Sequence, residues 1–173
     1  MHLRELIADL EIKRIKGEVN LEVEGLAYDS RRVATNFVFV AISGFKQDGH
    51  QFIAQAIEKG ARAIVVEKDV SISIPQNVAL IRVPSSRLAL AQLSNCWYRF
   101  PSREIKMIGI TGTNGKTTTT YLVESILKRA GFRVGKISTI DYALGEDSSI
   151  SSLTTPESQD LQGMLKTMVD RNL

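Results

Sequence analysis

The sequence has little cysteine and no long apolar run, and each shortage excludes a class of protein. One cysteine, Cys96, stands among 173 residues, so no disulfide can form within the chain. Its place in an apolar helical pattern favours a small core side chain over a catalytic thiol. No stretch approaches the roughly 20 apolar residues of a membrane-spanning helix, and the first residues contain no apolar signal core. We therefore expect a cytoplasmic protein without membrane insertion.

The net charge is also too small, and aromatic residues are too few, to suggest nucleic-acid binding. The 22 Lys and Arg residues and 19 Asp and Glu residues give a net charge of +3. Aromatic residues make up 6% of the chain, and they form no patch with basic residues. We expect no nucleic-acid partner. The hydrophobic share of 43% and the charged share of 24% are ordinary for a globular protein.

The strongest chemical signal is a turn rich in glycine and threonine at residues 109–120. It reads Gly-Ile-Thr-Gly-Thr-Asn-Gly-Lys-Thr-Thr-Thr-Thr. The apolar run 105–110 predicts a buried strand before it, and apolar residues of 121–130 recur at helical spacing after it. This order is typical of a phosphate-binding loop. Glycines let backbone N–H groups approach the phosphates, and the helix start adds unpaired N–H groups.

Two side chains of the loop carry the predicted chemistry. Lys116 would reach the terminal phosphate oxygens of a nucleotide, and Thr117 would offer its hydroxyl to Mg²⁺. The strict pattern has a glycine where Ile110 stands, so the alternative is a plain turn with a chance lysine. Four successive threonines are poor helix formers, which favours a role facing a ligand. The predicted cradle comprises Gly112, Thr113, Asn114, Gly115, Lys116, Thr117 and Thr118.

Strand and helix patterns alternate on both sides of the proline at position 101. Because proline ends a helix, we place the boundary of two domains, 1–101 and 102–173, at this point. We expect an α/β protein, with a small mixed α/β first domain and the incomplete start of a parallel-sheet domain. Predicted strands are 19–23, 37–42, 63–66, 78–83, 105–110 and 133–139, and predicted helices lie near 3–10, 52–57, 85–98 and 121–130.

The last part of the sequence predicts a polar loop and then a final helix. Thr155 before Pro156 is a typical N-cap followed by proline at the first helical position. Two clear strands do not complete a doubly wound sheet, so we expect this chain to be the front part of a longer protein.

Four motifs together resemble the Mur ligase family. The resemblance covers essentially the whole chain, and the loop variant Thr-Gly-Thr-Asn-Gly-Lys-Thr-Thr is typical of that family. The Thr-Thr-Pro element most resembles the ligases that add the third stem residue to UDP-N-acetylmuramoyl-L-alanyl-D-glutamate. The motifs are Asp29-Ser30-Arg31, Asp48-Gly49-His50-Gln51-Phe52-Ile53 with Gly60-Ala61, Gly112–Thr118, and Thr154-Thr155-Pro156.

The resemblance implies an ATP- and Mg²⁺-dependent amide ligase of peptidoglycan synthesis. A substrate carboxylate would attack the γ-phosphate of ATP, and an amino acid, lysine or diaminopimelate, would then displace phosphate from the acyl-phosphate. Lys116 would be the catalytic residue that neutralises phosphate charge. The implied partners are the UDP-N-acetylmuramoyl dipeptide and an amino acid, and we expect a monomer. Since the family's other Mg²⁺ ligands and C-terminal domain are expected outside this chain, it should lack ligase turnover alone.

The resemblance also implies substrate contacts in both regions. From the residues alone, Asp29-Ser30-Arg31 is more simply a turn that ends a strand. His50 is more simply a hydrogen-bonding residue than a base or metal ligand. The implied contacts are Tyr28, Ser30, Phe45, Lys46 and Gln47 for the uridine nucleotide, and Thr154 and Thr155 for the muramoyl peptide.

Three alternatives stay open. They are a sibling Mur ligase that adds D-alanyl-D-alanine, a folylpolyglutamate synthetase, and a stand-alone nucleotide-binding module. The Asp-Ser-Arg region argues against the folate enzyme, whose chain begins near the phosphate loop. The length of the natural reading frame separates a ligase from a module.

Overall fold

A computed structural model describes residues 1–44, 47–145, 147–150 and 155–173. The chain divides into two units, Met1–Trp97 and Tyr98–Leu173. This division falls a few residues before the boundary predicted from the proline at position 101. No helix among the described residues is long and apolar enough to cross a membrane.

A five-stranded mixed sheet forms the centre of the first unit. The strands lie in the order β1-β5-β4-β3-β2, with β2 to β5 parallel and β1 antiparallel to β5. The strands predicted within 37–42, 63–66 and 78–83 are confirmed. Their bounds are β1 (Arg14–Lys16), β2 (Gly25–Ala27), β3 (Phe37–Val40), β4 (Ala63–Val66) and β5 (Ala79–Arg82).

The strand predicted at 19–23 is wrong. The Leu21 carbonyl accepts from the Leu3 amide, and the Val23 amide donates to the Met1 carbonyl. This segment therefore pairs with the first residues of the chain, which are too few to continue as a strand. The exposed β1 occupies the sheet edge beside β5 instead.

Apolar layers cover both faces of this sheet. Val38 and Val40 belong to one layer and Phe39 to the other, and all three are fully buried. The first layer includes α1 (Leu3–Leu6) and α3 (Ser86–Trp97), whereas the second includes α2 (Ile53–Glu58). Burial on both faces explains why these parallel strands are continuous apolar runs in the sequence.

The single cysteine lies on α3, on the side that meets α1. Cys96 is partly buried and packs against the first apolar layer, so it lies at the edge of the core rather than inside it. Its Sγ lies 3.9 Å from the carbonyl oxygen of Glu5. Burial, with smaller contributions from Asp9 and Glu5, raises the pKa of the thiol.

The second unit combines helices with an antiparallel sheet. The strands follow the order β6-β7-β8, and β7 and β8 form a hairpin in a segment predicted to be a polar loop. Gly145 turns this hairpin at a φ of 81°. The elements are α4 (Lys116–Arg129), β6 (Gly135–Ile137), β7 (Asp141–Leu144), β8 (Asp147–Ile150) and α5 (Ser158–Asp170).

The strand predicted over 105–110 is not formed. Met107 and Ile108 are 56% and 61% exposed. β6, the expected parallel neighbour, pairs with β7 in the antiparallel direction. Without a neighbouring strand among the described residues, the segment gains neither ladder hydrogen bonds nor apolar burial.

Two details of the helices also differ from the prediction. The apolar positions Leu122 and Ile126 of α4 are exposed, whereas Glu124 is buried. Thr155 is not the N-cap of α5. The backbone is still extended at Glu157, which occupies the N-cap position, and its side chain makes no capping hydrogen bond to the helix.

Candidate functional site

The predicted phosphate loop leads directly into α4. Gly112 and Gly115 adopt φ values of 151° and 76°, which glycine adopts without strain. Gly115 is the N-cap and has no side chain to accept from the first helical N–H groups. Those N–H groups also lack intrahelical partners by helix geometry, so an anion would satisfy them.

A positive charge and a hydroxyl lie on the first turn of α4. The Lys116 Nζ donates to the carbonyl oxygen of Gly112 at 2.6 Å, so the ammonium group folds back over the loop. The Thr117 Oγ1 lies 3.4 Å from the Thr139 Oγ1. An ammonium and a hydroxyl beside free amides fit the terminal phosphates of ATP and a phosphate-bound Mg²⁺. The remaining predicted cradle residues, Thr113, Asn114 and Thr118, are exposed beside them.

A magnesium ion at this loop would depend on few protein ligands. Within the described ranges, no group of three or more His, Cys, Asp or Glu side chains could hold a metal. Mg²⁺ commonly keeps several waters and binds through substrate phosphates with one or two protein ligands. The hydroxyl of Thr117 is consistent with that mode.

The predicted uridine contacts of the first unit follow parallel strands. Tyr28 and Ser30 come directly after β2, and Gln47 lies in the turn after β3. Open α/β sheets bind ligands at this carboxyl edge. The Ser30 Oγ donates to the Gln55 Oε1 at 2.7 Å, which leaves its oxygen lone pairs as acceptors. Three other predicted contacts, Phe45, Lys46 and Thr154, lie outside the described residues, and Thr155 is exposed before α5.

Asp29-Ser30-Arg31 forms the local turn that the residues alone favoured. Asp29 is the N-cap of a 3₁₀ turn over Ser30–Arg32, and its carboxylate accepts from the Arg31 backbone N–H at 2.9 Å. The Arg31 guanidinium also donates to it at 2.7 Å. This side-chain hydrogen bond lowers the pKa of Asp29. The interpretation as a strand-ending turn is confirmed.

Sequence reasoning missed most of a polar cluster at the same edge. The Asp48 carboxylate lies 2.7 Å from the His50 Nδ1 and also pairs with the Lys68 ammonium. Glu67 donates its N–H to the His50 Nε2 at 3.4 Å. The hydrogen-bonding role predicted for His50 is confirmed. Two charged residues directly after buried β4 are the sequence signal that would have revealed the rest.

A second missed cluster lies against α4. The Lys136 side chain is 4% exposed, and its Nζ lies 2.9 Å from Glu124 and 3.0 Å from Asp141. It also stands 3.5 Å from the centroid of the Tyr121 ring. Burial opposes the charge of Lys136, but the hydrogen bonds outweigh it and raise its pKa. A lysine inside a short apolar strand was the available signal.

Replacing Asp48 by asparagine should make the free energy of unfolding of the first unit vary less with pH in the acid range. The Lys68 hydrogen bond lowers the Asp48 pKa from 3.8 to about 2. A lowered carboxyl pKa stabilises the fold above the unfolded-state pKa, and this stabilisation is lost as pH falls through the folded-state pKa. After discounting for a partly exposed pair, we expect Asp48→Asn to cost on the order of 1 kcal/mol at pH 7. The difference in the free energy of unfolding between the native chain and Asp48→Asn should shrink as pH falls from 4 to 2.

Urea unfolding followed by the fluorescence of Trp97, the only tryptophan, measures this difference. Asp69→Asn is the matched control, because Asp69 pairs with Arg82 while 81% of its side chain is exposed. That control should change the free energy of unfolding by less than about 0.5 kcal/mol. Equal losses in both variants at every pH would contradict the prediction.

Sequence comparison places the chain among the Mur ligases. The profile described as "Mur ligase family, catalytic domain" matches residues 22–98, and "Mur ligase middle domain" matches residues 110–173. The chain belongs to the Mur ligase family, as its motifs predicted.

Its relatives include ligases specific for diaminopimelate. The chain is 42% identical to the UDP-N-acetylmuramoyl-L-alanyl-D-glutamate–2,6-diaminopimelate ligase of Clostridium tetani over 98% of this chain and 35% of that protein. It is 44% identical to the enzyme of the same name from Clostridium botulinum, over 100% of this chain and 36% of that protein. The chain therefore spans about a third of the length of these relatives.

Solved structures with the same fold include other Mur ligases. A UDP-N-acetylmuramoyl-L-alanyl-D-glutamate–2,6-diaminopimelate ligase superposes with a TM-score of 0.74 at 21% identity, covering 99% of this chain and 34% of that chain. This likeness shows the fold alone and confirms the α/β class. MurF of Thermotoga maritima, solved in complex with ADP, gives a TM-score of 0.52 at 26% identity, covering 83% of this chain and 29% of that chain.

Proposed function

We propose that this chain is the front part of an ATP-dependent ligase that adds the third amino acid to UDP-N-acetylmuramoyl-L-alanyl-D-glutamate. The observation that carries the proposal is the start of α4, where the Lys116 ammonium and the Thr117 hydroxyl follow glycines at positive φ. The relatives named above are diaminopimelate ligases, which favours diaminopimelate over lysine as the added amino acid.

The loop would hold ATP at its phosphates. ATP with Mg²⁺ supplies the phosphoryl group that activates the substrate carboxylate. Backbone amides between Gly112 and Thr118 would orient the phosphates, while Lys116 neutralises charge on the terminal oxygens and Thr117 binds the metal. ADP bound to the Thermotoga maritima relative is consistent with a nucleotide at this fold.

The two regions would divide the substrates between them. Residues 1–101 would bind the uridine nucleotide through Tyr28, Ser30, Phe45, Lys46 and Gln47, at the carboxyl edge of the sheet. Residues 102–173 would bind ATP, and Thr154 and Thr155 would contact the muramoyl peptide. Because ATP and a nucleotide-linked substrate are both required, we assign the activity to the cytoplasm, with the ligase acting as a monomer.

Additional chain would cover the exposed apolar side chains of the second unit. Met107, Ile108, Leu122 and Ile126 are each more than half exposed. The relatives are about three times as long as this chain, and we propose that a corresponding length completes the sheet beside 105–110. That completion would turn the apolar pattern into the strand that the sequence predicts.

A chimera tests the proposed function directly. This chain would replace the matching 35% of the Clostridium tetani ligase. Purified chimera should release phosphate only when ATP, Mg²⁺, the UDP-linked dipeptide and diaminopimelate are all present. A monomeric, folded chimera that binds UDP yet shows no such release, beside an active parent ligase, would overturn the proposal.

The chain by itself should show no turnover. In a coupled phosphate-release assay, we expect no phosphate release that depends on added amino acid. The proposed Mg²⁺ site and amino-acid site both need residues other than Thr117 and its loop. ATP alone serves as the background control. Turnover dependent on diaminopimelate in the isolated chain would contradict this expectation.

A further inference from the structure

Backbone hydrogen bonds between β3 and α2 flank Asp48 on both sides. Ser43 and Asp48 form an antiparallel bridge. The Gly44 N–H donates to the Gln47 carbonyl oxygen at 3.1 Å, and the Gly49 N–H donates to the Ile42 carbonyl oxygen at 2.8 Å. The position of Gln47, which precedes Asp48 directly, therefore depends on where Asp48 is held.

The buried ring of His50 holds Asp48 and fixes its own tautomer. Its side chain is 6% exposed, and its Nδ1 lies 2.7 Å from the Asp48 Oδ1. Its Nε2 faces the backbone N–H of Glu67 at an N···N distance of 3.4 Å. A backbone N–H only donates, so Nε2 accepts and carries no proton. The proton of the neutral ring is then on Nδ1, which donates to Asp48.

The contacts of His50 connect the turn to the sheet and to α3. Glu67 directly follows β4, and its Oε2 accepts from the Ser86 N–H, at the first residue of α3, at 2.9 Å. Lys68 pairs with the other carboxylate oxygen of Asp48. Asp48 is thus held beside the end of β4 by two side chains, those of His50 and Lys68.

We propose that His50 is a positioning residue for the nucleotide-binding edge of the first unit, acting through Asp48 on the neighbouring Gln47. This inference rests on the proposed function, because it requires that this edge bind a uridine nucleotide. Gln47, a proposed contact, precedes Asp48 directly. A contact residue that is already held in place loses less conformational entropy when ligand binds, so release of Gln47 would weaken affinity.

Two substitutions of His50 remove its hydrogen bonds to Asp48 and Glu67 one at a time. Asparagine carries its amide at the distance of Nδ1 from Cβ, so His50→Asn keeps a donor for Asp48 and loses the acceptor for Glu67. Glutamine carries its amide at the distance of Nε2, so His50→Gln keeps the acceptor and loses the donor. Both variants remove the ring and share the loss of its packing.

Calorimetric titration of the chain with UDP, together with thermal unfolding, is the decisive measurement. His50→Asn should bind UDP within about threefold of the native chain. His50→Gln should bind UDP about tenfold more weakly, because a tenfold loss of affinity corresponds to the free energy of one hydrogen bond to a charged group. Equal affinity in the two variants, or losses of affinity that simply follow their melting temperatures, would overturn the positioning role.

Nitrogen NMR of the imidazole tests the same contact without any substitution. At pH 7.5 the native ring should be protonated at Nδ1 and unprotonated at Nε2, and the opposite tautomer would overturn the inference even if both variants failed to fold. A native chain that binds no UDP would instead overturn the proposed function of this edge, and the inference with it. The two failures are therefore distinguishable.

Discussion

Replacing Lys116 by methionine should lower the turnover of the ligase chimera about 10³-fold. Lys116 is the only charged residue between Ile110 and Thr118, so its loss removes the cation that neutralises developing charge on the transferred phosphate. Losses of 10²–10³-fold follow removal of a single preorganised donor, and a full charge is expected to reach the upper end. The rate of phosphate release at saturating substrates measures the effect.

Lys128→Met is the matched control for that substitution. Lys128 lies on the same helix, about half of its side chain is exposed, and its Nζ pairs with Glu124 rather than with the loop. The control chimera should keep turnover within about twofold of the unsubstituted chimera. The Lys116 side chain is exposed and its hydrogen bond to Gly112 is local, so thermal unfolding should be nearly unchanged. Full activity of Lys116→Met would contradict the phosphate role.

Replacing Lys136 by methionine should destabilise the second unit by about 3 kcal/mol. The substitution leaves Glu124 and Asp141 facing each other without the cation that both contact. Removing one partner of a buried ion pair costs more than the pair contributes, because the remaining charge is less well compensated. Glu124 would keep only its pair with the half-exposed Lys128 ammonium, and Asp141 would lose its cation. Hydrogen exchange of the backbone amides of α4 and β6 measures the loss without relying on Trp97, which lies in the first unit.

Lys166→Met provides the comparison on the surface of the same unit. Lys166 pairs with Asp170 one helical turn away, and 59% of the Asp170 side chain is exposed. Such a pair contributes only about 0.3–0.5 kcal/mol. If carboxylate repulsion causes the loss, adding Glu124→Gln to Lys136→Met should recover part of it. Equal, small effects of both lysine substitutions would show that the Lys136 network does not stabilise the unit.

The sequence predicted best those features that depend on neighbouring residues. The apolar runs at 37–42 and 63–66 are buried on both faces, so composition alone marks them as strands. The glycine turn before α4 was predictable because two glycines, a lysine and a helical pattern follow one another without interruption. Its phosphate-binding role stays a prediction. Asp29-Ser30-Arg31 also forms its turn through hydrogen bonds two residues apart.

Features that depend on distant partners were not predictable in this way. The segment 105–110 is as apolar as a strand, but strand formation needs a neighbouring strand, and β6 pairs with β7 instead. The same limit applies to the polar clusters. Nothing local in the sequence indicates that Lys136 meets Glu124, or that the amide of Glu67 meets the ring of His50.

The thiol of Cys96 can serve as a chemical probe of the packing between α1 and α3. Alkylating reagents attack the thiolate, and burial against α1 raises the thiol pKa, so the native protein should be modified slowly at neutral pH. The side chain is partly buried, so any separation of α1 from α3 should expose the thiol further and speed its modification. Because the chain has no other thiol, the rate at which each molecule gains one adduct reports how closely α1 packs on α3, with no label introduced by mutation.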